Sequence, residues 1–456
     1  MAELIISISG MRGIVGGNLT PAIAAEYGSA FGSFLREKTA ARKRLKVCIG
    51  RDSRPSGQML AAAVTAGLCA VGINVVDLGI VTTPCVGIMA RHLRCAGGIV
   101  ITASHNPVEY NGVKLLLGNG IAPPADTAAE IRSRYFEKRL SQVKSVENGK
   151  VATYGDTDAV HVEKVLSIVD VKAIRRRKYS VVLDSINGAG GRITMKLLAA
   201  LGCHTTAVNI EPTGRFAHAP EPTAANLAGF GRTVKRHKAA VGFAQDPDAD
   251  RLAIVDETGR YIGEEYTLAL AAKQVFRQRR GMAAANLSTS RMIDDIAAAA
   301  GGRVIRTPVG EANVAEAMMA NRCIIGGEGN GGVIDLRVGP VRDSLVGIAL
   351  VLQLMAETGR AVSELAAECG SYAMIKEKFV ADRALAERII AAARDEFAGA
   401  DINTSDGCRF DFSDAWVHLR TSNTEPVMRV ICEAPDEVAA RNCLQRVMDI
   451  RKGLVG

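Results

Sequence analysis

The 456-residue chain carries a formal net charge of +8, with 48% hydrophobic and 4% aromatic residues. At ~150 residues per domain it holds roughly three domains, and its apolar content excludes a disordered chain. The positive charge implies an anionic partner, yet it is dispersed: only Arg175-Arg176-Arg177-Lys178 and Arg277 to Arg280 cluster, neither interleaved with aromatics, which reads as solvated helix ends and argues against nucleic-acid binding.

Ten cysteines include no Cys-x-x-Cys pair. Cys48, Cys69, Cys85, Cys95, Cys203, Cys323 and Cys432 sit among apolar neighbours, as small buried hydrophobes in a reducing compartment do. The opening Met-Ala-Glu-Leu-Ile-Ile-Ser lacks a signal-peptide pattern, and no apolar run reaches ~18 residues. A cytoplasmic protein with no membrane span is expected.

In chain order, Ile5 to Ile8 reads as a strand ending in the glycine-flanked turn Ser9-Gly10-Met11-Arg12-Gly13. There Arg12 is either a surface arginine or one reaching toward an anion. Thr20-Pro21 is a helix start, with the threonine as N-cap and proline at the first position. Strands at Val47 to Gly50 and Asn74 to Leu78 alternate with helices around Leu60 to Leu68 and from Thr83-Pro84, the pattern of βαβ units. The β-branched run Ile99 to Thr102 then stops at Ala103-Ser104-His105-Asn106-Pro107. Pro107 forbids an easy return to the ladder, so Ser104 is held on a tight turn at a strand end, where ligands bind in open α/β sheets. Asn111 to Leu115 returns as a strand carrying Lys114, which can serve as general acid or base at the serine if burial lowers its pKa.

Lys138 to Thr157 is polar and reads as a linker. Strand Tyr179 to Asp184 runs into the glycine turn Ser185 to Gly191, a close strand–helix turn. Strand Val241 to Ala244 enters Asp246-Pro247-Asp248-Ala249-Asp250-Arg251. Three aspartates at alternate positions on a stiffened loop can converge on one hard cation, and Arg251 can balance charge or touch a phosphate. The glycine and distal glutamate of an EF-hand are missing; a solvated acidic turn is the plainer alternative. Further on, Glu265 to about Arg279 reads as a helix and Arg303 to Arg306 as a strand.

The loop Gly326-Gly327-Glu328-Gly329-Asn330-Gly331-Gly332 suits a polyol: glycines admit the ligand, Glu328 accepts from hydroxyls and Asn330 donates or accepts. A flexible tip is the alternative. Arg342-Asp343-Ser344 starts the apolar helix to Met355. Finally Arg420-Thr421-Ser422-Asn423-Thr424-Glu425-Pro426, with Arg429, gathers arginines, hydroxyls and amides into a phosphate cradle, or else a polar hairpin. A group-carrying serine, a divalent-cation site, a polyol reader and a phosphate clamp together suit phosphoryl transfer on a sugar phosphate.

The segments Thr102 to Pro107, Asp246 to Arg251, Gly327 to Gly332 and Arg420 to Pro426 resemble the four signature loops of the α-D-phosphohexomutase superfamily, in the family's order across the whole chain. The resemblance implies an α/β protein of four domains around a central cleft: three α/β/α domains with mixed sheets and a C-terminal α+β domain. Placed on this chain, these are 1–152 with the serine loop, 153–256 with the metal loop, 257–370 with the sugar loop and 371–456 with the phosphate loop. It also implies a phosphoserine at Ser104 and one Mg²⁺ per chain held by that phosphate and Asp246, Asp248 and Asp250. A sugar bisphosphate is the implied intermediate, with a hexose or hexosamine phosphate as substrate in a monomer or homodimer. By the same likeness Arg12 and Lys114 assist proton transfer near the serine, and His105, beside it in the sequence, is a further catalytic candidate. Arg251, Glu328 and Asn330 meet the substrate, and Arg420, Ser422, Asn423, Thr424 and Arg429 hold its non-transferring phosphate. One departure stands out. The common sugar loop reads Gly-Glu-x-Ser-Gly-His, whereas Asn330 and Gly332 replace its serine and histidine. This version looks more like the branch usually called phosphoglucosamine mutase. Glucose or mannose phosphates are the alternative substrates, and a silent sugar-phosphate-binding regulator is the non-enzymatic alternative.

Overall fold

The computed structural model describes residues 4–7, 10–39, 45–141, 143–421 and 426–455. The first of four sheets has seven strands, ordered Ile5–Ser7, Gly10–Ile14, Tyr110–Leu117, Gly97–Ile101, Lys46–Arg51, Asn74–Ile80 and Val151–Thr153. The last four of these pair in parallel and the others antiparallel. Alternation along the strands decides which helix each side chain meets. Val47, Ile49, Ile99 and Ile101 share a core with residues of helices Pro21–Lys38 and Gly57–Ala70; Cys48, Val100 and Leu116 pack with helix Thr83–His92 instead. Thr20 caps the first helix by accepting from Ile23 N, as its Thr-Pro start requires. The two helices on one face touch closely. A Cβ on Gly67 would stand 2.1 Å from the Ala25 carbonyl oxygen.

Residues 138–157 are not merely a linker. Strand Val151–Thr153 lies within them and pairs with Asn74–Ile80 as the sheet's edge. Its three residues are exposed, so hydrophobic patterning carries no trace of it and backbone hydrogen bonds alone define it.

The second sheet runs Leu252–Val255, Val241–Gln245, Ser180–Asp184, His204–Val208, and the third Arg303–Thr307, Met282–Asn286, Ile325–Glu328, Gly332–Ile334. Each is parallel except for one hairpin-like pair, Val241–Gln245 with Leu252–Val255 and Ile325–Glu328 with Gly332–Ile334. One device therefore recurs three times. The serine, acidic and glycine loops are each the turn by which a parallel strand reverses into an antiparallel neighbour. The second and third units share a continuous core built on helix Ser344–Thr358, which is buried from Ser344 to Ala356 as befits a helix that is apolar all round. The fourth unit is a five-stranded antiparallel sheet, Ala373–Val380, Val427–Ala434, Trp416–Thr421, Cys408–Asp411, Asp401–Asn403, packed with helices Arg383–Glu396 and Glu437–Val455. The chain is thus an α/β protein of three mixed-sheet α/β/α units and a C-terminal α+β unit. All ten cysteines are free, with Cys69, Cys203 and Cys443 half-buried and the rest buried. Among the described residues no helix is long and apolar enough to cross a membrane.

Candidate active site

Ser104 sits just beyond strand Gly97–Ile101 with φ of +52°, a left-handed conformation costly for a non-glycine residue. The surroundings hold it there. Ser104 N donates to Thr102 Oγ1 at 2.9 Å, and Thr102 Oγ1 donates to Asp52 Oδ2 at 2.7 Å. The fully buried Arg54 gathers the loop's carbonyls: its Nη2 donates to Ser104 O at 2.7 Å and Asn106 O at 2.6 Å, and its Nη1 to Pro107 O at 2.5 Å and Tyr110 O at 3.1 Å. Arg54 Nε is anchored on Asp52 Oδ2 at 3.1 Å, and its guanidinium stacks on the Phe216 ring at 4.9 Å. Ser104 Oγ lies 3.2 Å from His105 Nδ1 and 3.5 Å from Asp246 Oδ2. Burial, and then the nearby Arg251 and Arg12, push the His105 imidazole down to about 3. The ring is neutral at pH 7 and can accept a hydrogen bond from the hydroxyl, although so low a pKa makes it a weak proton acceptor.

Asp246, Asp248 and Asp250 are all buried and each turns one carboxylate oxygen to within 4.8 Å of the others. Ala249 between them has φ of +55°. Arg251 N donates to Asp246 Oδ1 at 3.1 Å, and Thr83 Oγ1, at the head of a first-unit helix, donates to Asp248 Oδ2 at 2.6 Å. Asp248 Oδ1 and Asp250 Oδ1 are buried without a hydrogen-bond partner. Burial, followed by repulsion among the three groups, raises Asp246 and Asp248 above the ordinary carboxylate range. Burial also acts upward on Asp250, but Arg342, Lys114 and Arg251 outweigh it and hold that carboxyl below its usual value. Orphaned hard oxygens under mutual repulsion fit a small divalent cation such as Mg²⁺, and the triad could hold one.

Around the cage lies a cleft of about 800 Å³. Arg12, Ser104 and Lys114 line it from the first unit, and Asp248, Asp250 and Arg251 from the second. The third contributes Glu311, Glu328, Asn330 and Arg342, and the fourth Arg429. Three sequence-distant loops and a strand of the fourth unit thus share one cavity. Arg12 Nη1 donates to Asn106 Oδ1 at 3.3 Å, and Arg251 Nη1 lies 3.4 Å from Glu221 Oε1. Lys114 corrects one expectation. Burial pulls its ammonium down, but Glu311 at 3.1 Å and Asp250 at 4.0 Å outweigh that and keep it above its ordinary value. The lowering that a neutral lysine base requires is therefore absent, while the protonated ammonium is the form that serves as a general acid.

Glu328 stands at the end of strand Ile325–Glu328 with both oxygens engaged. Asn286 Nδ2 at 2.8 Å and Gly310 N at 3.1 Å donate to Oε1, and Arg342 Nη1 donates to Oε2 at 2.6 Å. Arg429 is exposed on the cleft wall, while Arg420 pairs with Asp406 at 3.3 Å and is absent from the cleft lining. Ser422, Asn423 and Thr424 lie outside the described residues.

Comparison with known proteins matches this arrangement. Residues 4–142, 159–259 and 264–372 match alpha/beta/alpha domains I, II and III of phosphoglucomutase/phosphomannomutase, and 375–450 match its C-terminal domain. A phosphoglucomutase/phosphomannomutase of Thermococcus kodakarensis is 40% identical over 96% of both chains. The chain belongs to the phosphoglucomutase/phosphomannomutase family. Its further relatives include a probable phosphoglucosamine mutase of Methanopyrus kandleri, 36% identical over 97% of this chain and 96% of that one. The crystal structure of a family protein from Burkholderia thailandensis superposes with a TM-score of 0.85 at 28% identity, covering 98% of each chain. The protein is a phosphohexomutase.

Several residues that build or line this phosphohexomutase's cleft escape a reading of the sequence. Arg54 lies in a stretch, Arg51 to Gly57, that reads only as a polar turn. Arg342 reads as the first residue of a helix, and Glu311 follows an unremarked Thr-Pro-Val-Gly. A buried arginine has no local signature, and the only available hint was the density of Asp and Arg in two turns joining apolar elements.

Proposed function

We propose that this phosphohexomutase interconverts glucosamine 6-phosphate and glucosamine 1-phosphate by moving a phosphoryl group on and off Ser104, through a bisphosphorylated sugar. The observation that carries the proposal is the 3.5 Å contact between Ser104 Oγ and Asp246 Oδ2, which sets a hydroxyl at the edge of the carboxylate cage. In the resting form Ser104 carries phosphate, and one end of the sugar receives it. The returning phosphoryl group comes from the other end, after the intermediate has turned over in the cleft. Asp246, Asp248, Asp250 and the phosphoserine would hold a Mg²⁺ ion, which when bound would supply charge neutralisation for the transfer. Arg12 and Lys114 bring positive charge into the cleft beside the serine and assist proton transfer there. His105, neutral and 3.2 Å from the hydroxyl, accepts its hydrogen bond when Ser104 is rephosphorylated by attack of its oxygen. Arg429, with Ser422, Asn423, Thr424 and Arg420, clamps the phosphate at the far end, and Glu328 and Asn330 meet the sugar hydroxyls.

The amino-sugar preference rests on the Gly-Glu-x-Asn-Gly-Gly loop and on the relatives named phosphoglucosamine mutase. The 40% identical Thermococcus relative favours a second reading, glucose and mannose phosphates. Kinetics with the 6-phosphates of glucosamine, glucose, mannose and N-acetylglucosamine decide between them. The highest kcat/KM is expected for glucosamine 6-phosphate. A higher value for glucose or mannose 6-phosphate overturns the preference, and full turnover by a Ser104→Ala variant overturns the mechanism.

A further inference from the structure

Gly332 closes the sugar loop, and its backbone is not in the left-handed region that would demand glycine. The space beside it is nevertheless taken. A Cβ at position 332 would stand 2.2 Å from Arg342 Cδ and 2.9 Å from Arg342 Cγ. Those atoms are the middle of the arginine stem, and the stem cannot swing away because its head is tied down at several points. Arg342 Nη1 donates to Glu328 Oε2 at 2.6 Å and to Asn330 Oδ1 at 3.3 Å; Nη2 donates to Asp250 Oδ2 at 2.5 Å. Glu311 Oε2 lies 3.8 Å from Nε, and Glu311 Oε1 accepts from Arg342 N at 2.8 Å. The whole residue is buried.

The geometry points to Arg342 as a positioning residue that locks the sugar loop to the carboxylate cage, with Gly332 bare so that it can. One guanidinium spans the cage through Asp250 and the sugar loop through Glu328 and Asn330, in the fork geometry that lysine lacks. It takes Asp250 Oδ2, while Oδ1 of the same carboxylate stays buried and without a hydrogen-bond partner. A second link runs in parallel: Leu252 N, just past the acidic loop, donates to Gly331 O at 3.0 Å. A side chain at position 332 and the Arg342 stem in its present place would therefore compete for the same space. Arg342 itself comes from the segment leading into helix Ser344–Thr358. The inference rests on the mutase reading above, and it names the device that fixes its two loops relative to each other.

A double-mutant cycle tests it, with mutase kcat/KM and urea unfolding measured on the full-length chain. Arg342→Ala is expected to lose on the order of 10- to 100-fold in kcat/KM, as removal of a residue orienting a metal ligand does. Gly332→Ala alone is expected to lose activity by pushing Arg342 aside, yet to cost nothing further in the Arg342→Ala background. Added guanidinium ion should restore part of the activity of Arg342→Ala and none of that of Arg342→Met, whose side chain fills the stem without the charge. Packing alone would give the reverse order. Additive losses at 332 and 342, or wild-type kcat/KM in a folded Arg342→Ala variant, overturn the inference. An inactive wild type, by contrast, overturns the mutase reading itself. Should Arg342→Ala fail to fold, the comparison of Gly332→Ala with wild type and the activity of Arg342→Lys, expected to be well below wild type, still decide it.

Discussion

Arg54 Nη2 donates to the Ser104 carbonyl oxygen at 2.7 Å, across fifty residues of sequence, and the same guanidinium serves three further carbonyls of that loop. A serine held in a left-handed conformation needs such support, because nothing local favours it. Removing one partner of a buried charged pair leaves the other uncompensated. Arg54→Ala is therefore expected to destabilise the fold by about 3–5 kcal/mol in urea unfolding, with Asp52 and the loop carbonyls left behind. Arg54→Lys should fold but lose the planar fork, lowering kcat while KM for the sugar phosphate changes little. Unchanged kcat in Arg54→Lys would show that the loop holds its shape unaided.

The acidic loop makes a prediction with opposite signs in the absence and presence of metal. Without a cation, burial and repulsion among Asp246, Asp248 and Asp250 are unfavourable. Replacing Asp248 by asparagine relieves that repulsion, so the metal-free variant should be at least as stable as metal-free wild type. Wild type should gain about 2.7 kcal/mol when Mg²⁺ is raised to a hundred times its Kd, and the variant much less. Thermal unfolding in EDTA and in Mg²⁺ checks both signs. A variant that gains as much from Mg²⁺ as wild type would take Asp248 out of the ligand set.

What the sequence displayed and what it hid divide along a physical line. Ser104, Asp246 to Asp250 and Glu328 were legible because each ends a β-branched or apolar strand in a short polar turn, and a strand end is a local pattern. That three of these turns would be reversals from parallel to antiparallel pairing, all opening on one cleft, is a property of register, which only the sheets reveal. Arg54 and Arg342 were illegible for a related reason. Their roles are defined by partners 50 and 92 residues away, Ser104 and Asp250, while their immediate neighbours describe ordinary turns. Lys114 was found by its strand position, but its charge state depends on Glu311, on a helix of the third unit, and came out opposite to what a base requires.

On the fourth unit, Arg429 and Arg420 are expected to behave differently although both belong to one basic loop region. Arg429 is exposed on the cleft wall; Arg420 is engaged with Asp406, whose carboxylate also accepts from the Val309 backbone N–H of the third unit at 3.0 Å. Loss of a charge-assisted phosphate contact is worth about 1.5–3 kcal/mol, so Arg429→Ala should raise KM for the sugar phosphate by about 10- to 100-fold with stability unchanged. Arg420→Ala should lower stability as well, because it frees Asp406. Steady-state kinetics beside urea unfolding separates the two, and an Arg429→Ala variant with wild-type KM would remove that residue from the phosphate clamp.

The docking of the fourth unit on the third carries a pH dependence of its own. His418 is fully buried there, with Nε2 donating to Asp406 O at 2.7 Å and Nδ1 at 2.9 Å from Ser288 Oγ, an arrangement that the neutral ring satisfies without bringing a charge into the interior. Burial pushes the imidazole down to about 4. In the unfolded chain it titrates near 6.5, so between these values the unfolded state binds the extra proton and stability rises with pH. Acidification from pH 7 to pH 5 should then remove about 2 kcal/mol through this one residue, with little further change below pH 4. Glutamine at 418 can donate and accept without titrating. His418→Gln should flatten the dependence of urea-unfolding stability between pH 5 and 7 relative to wild type, and to the extent that the fourth unit detaches first, the same difference should be seen in protease cleavage near residue 371. Parallel pH profiles for the two proteins would mean that His418 already takes up its proton in the folded state, and that Ser288 or Asp406 rotates away to accommodate it.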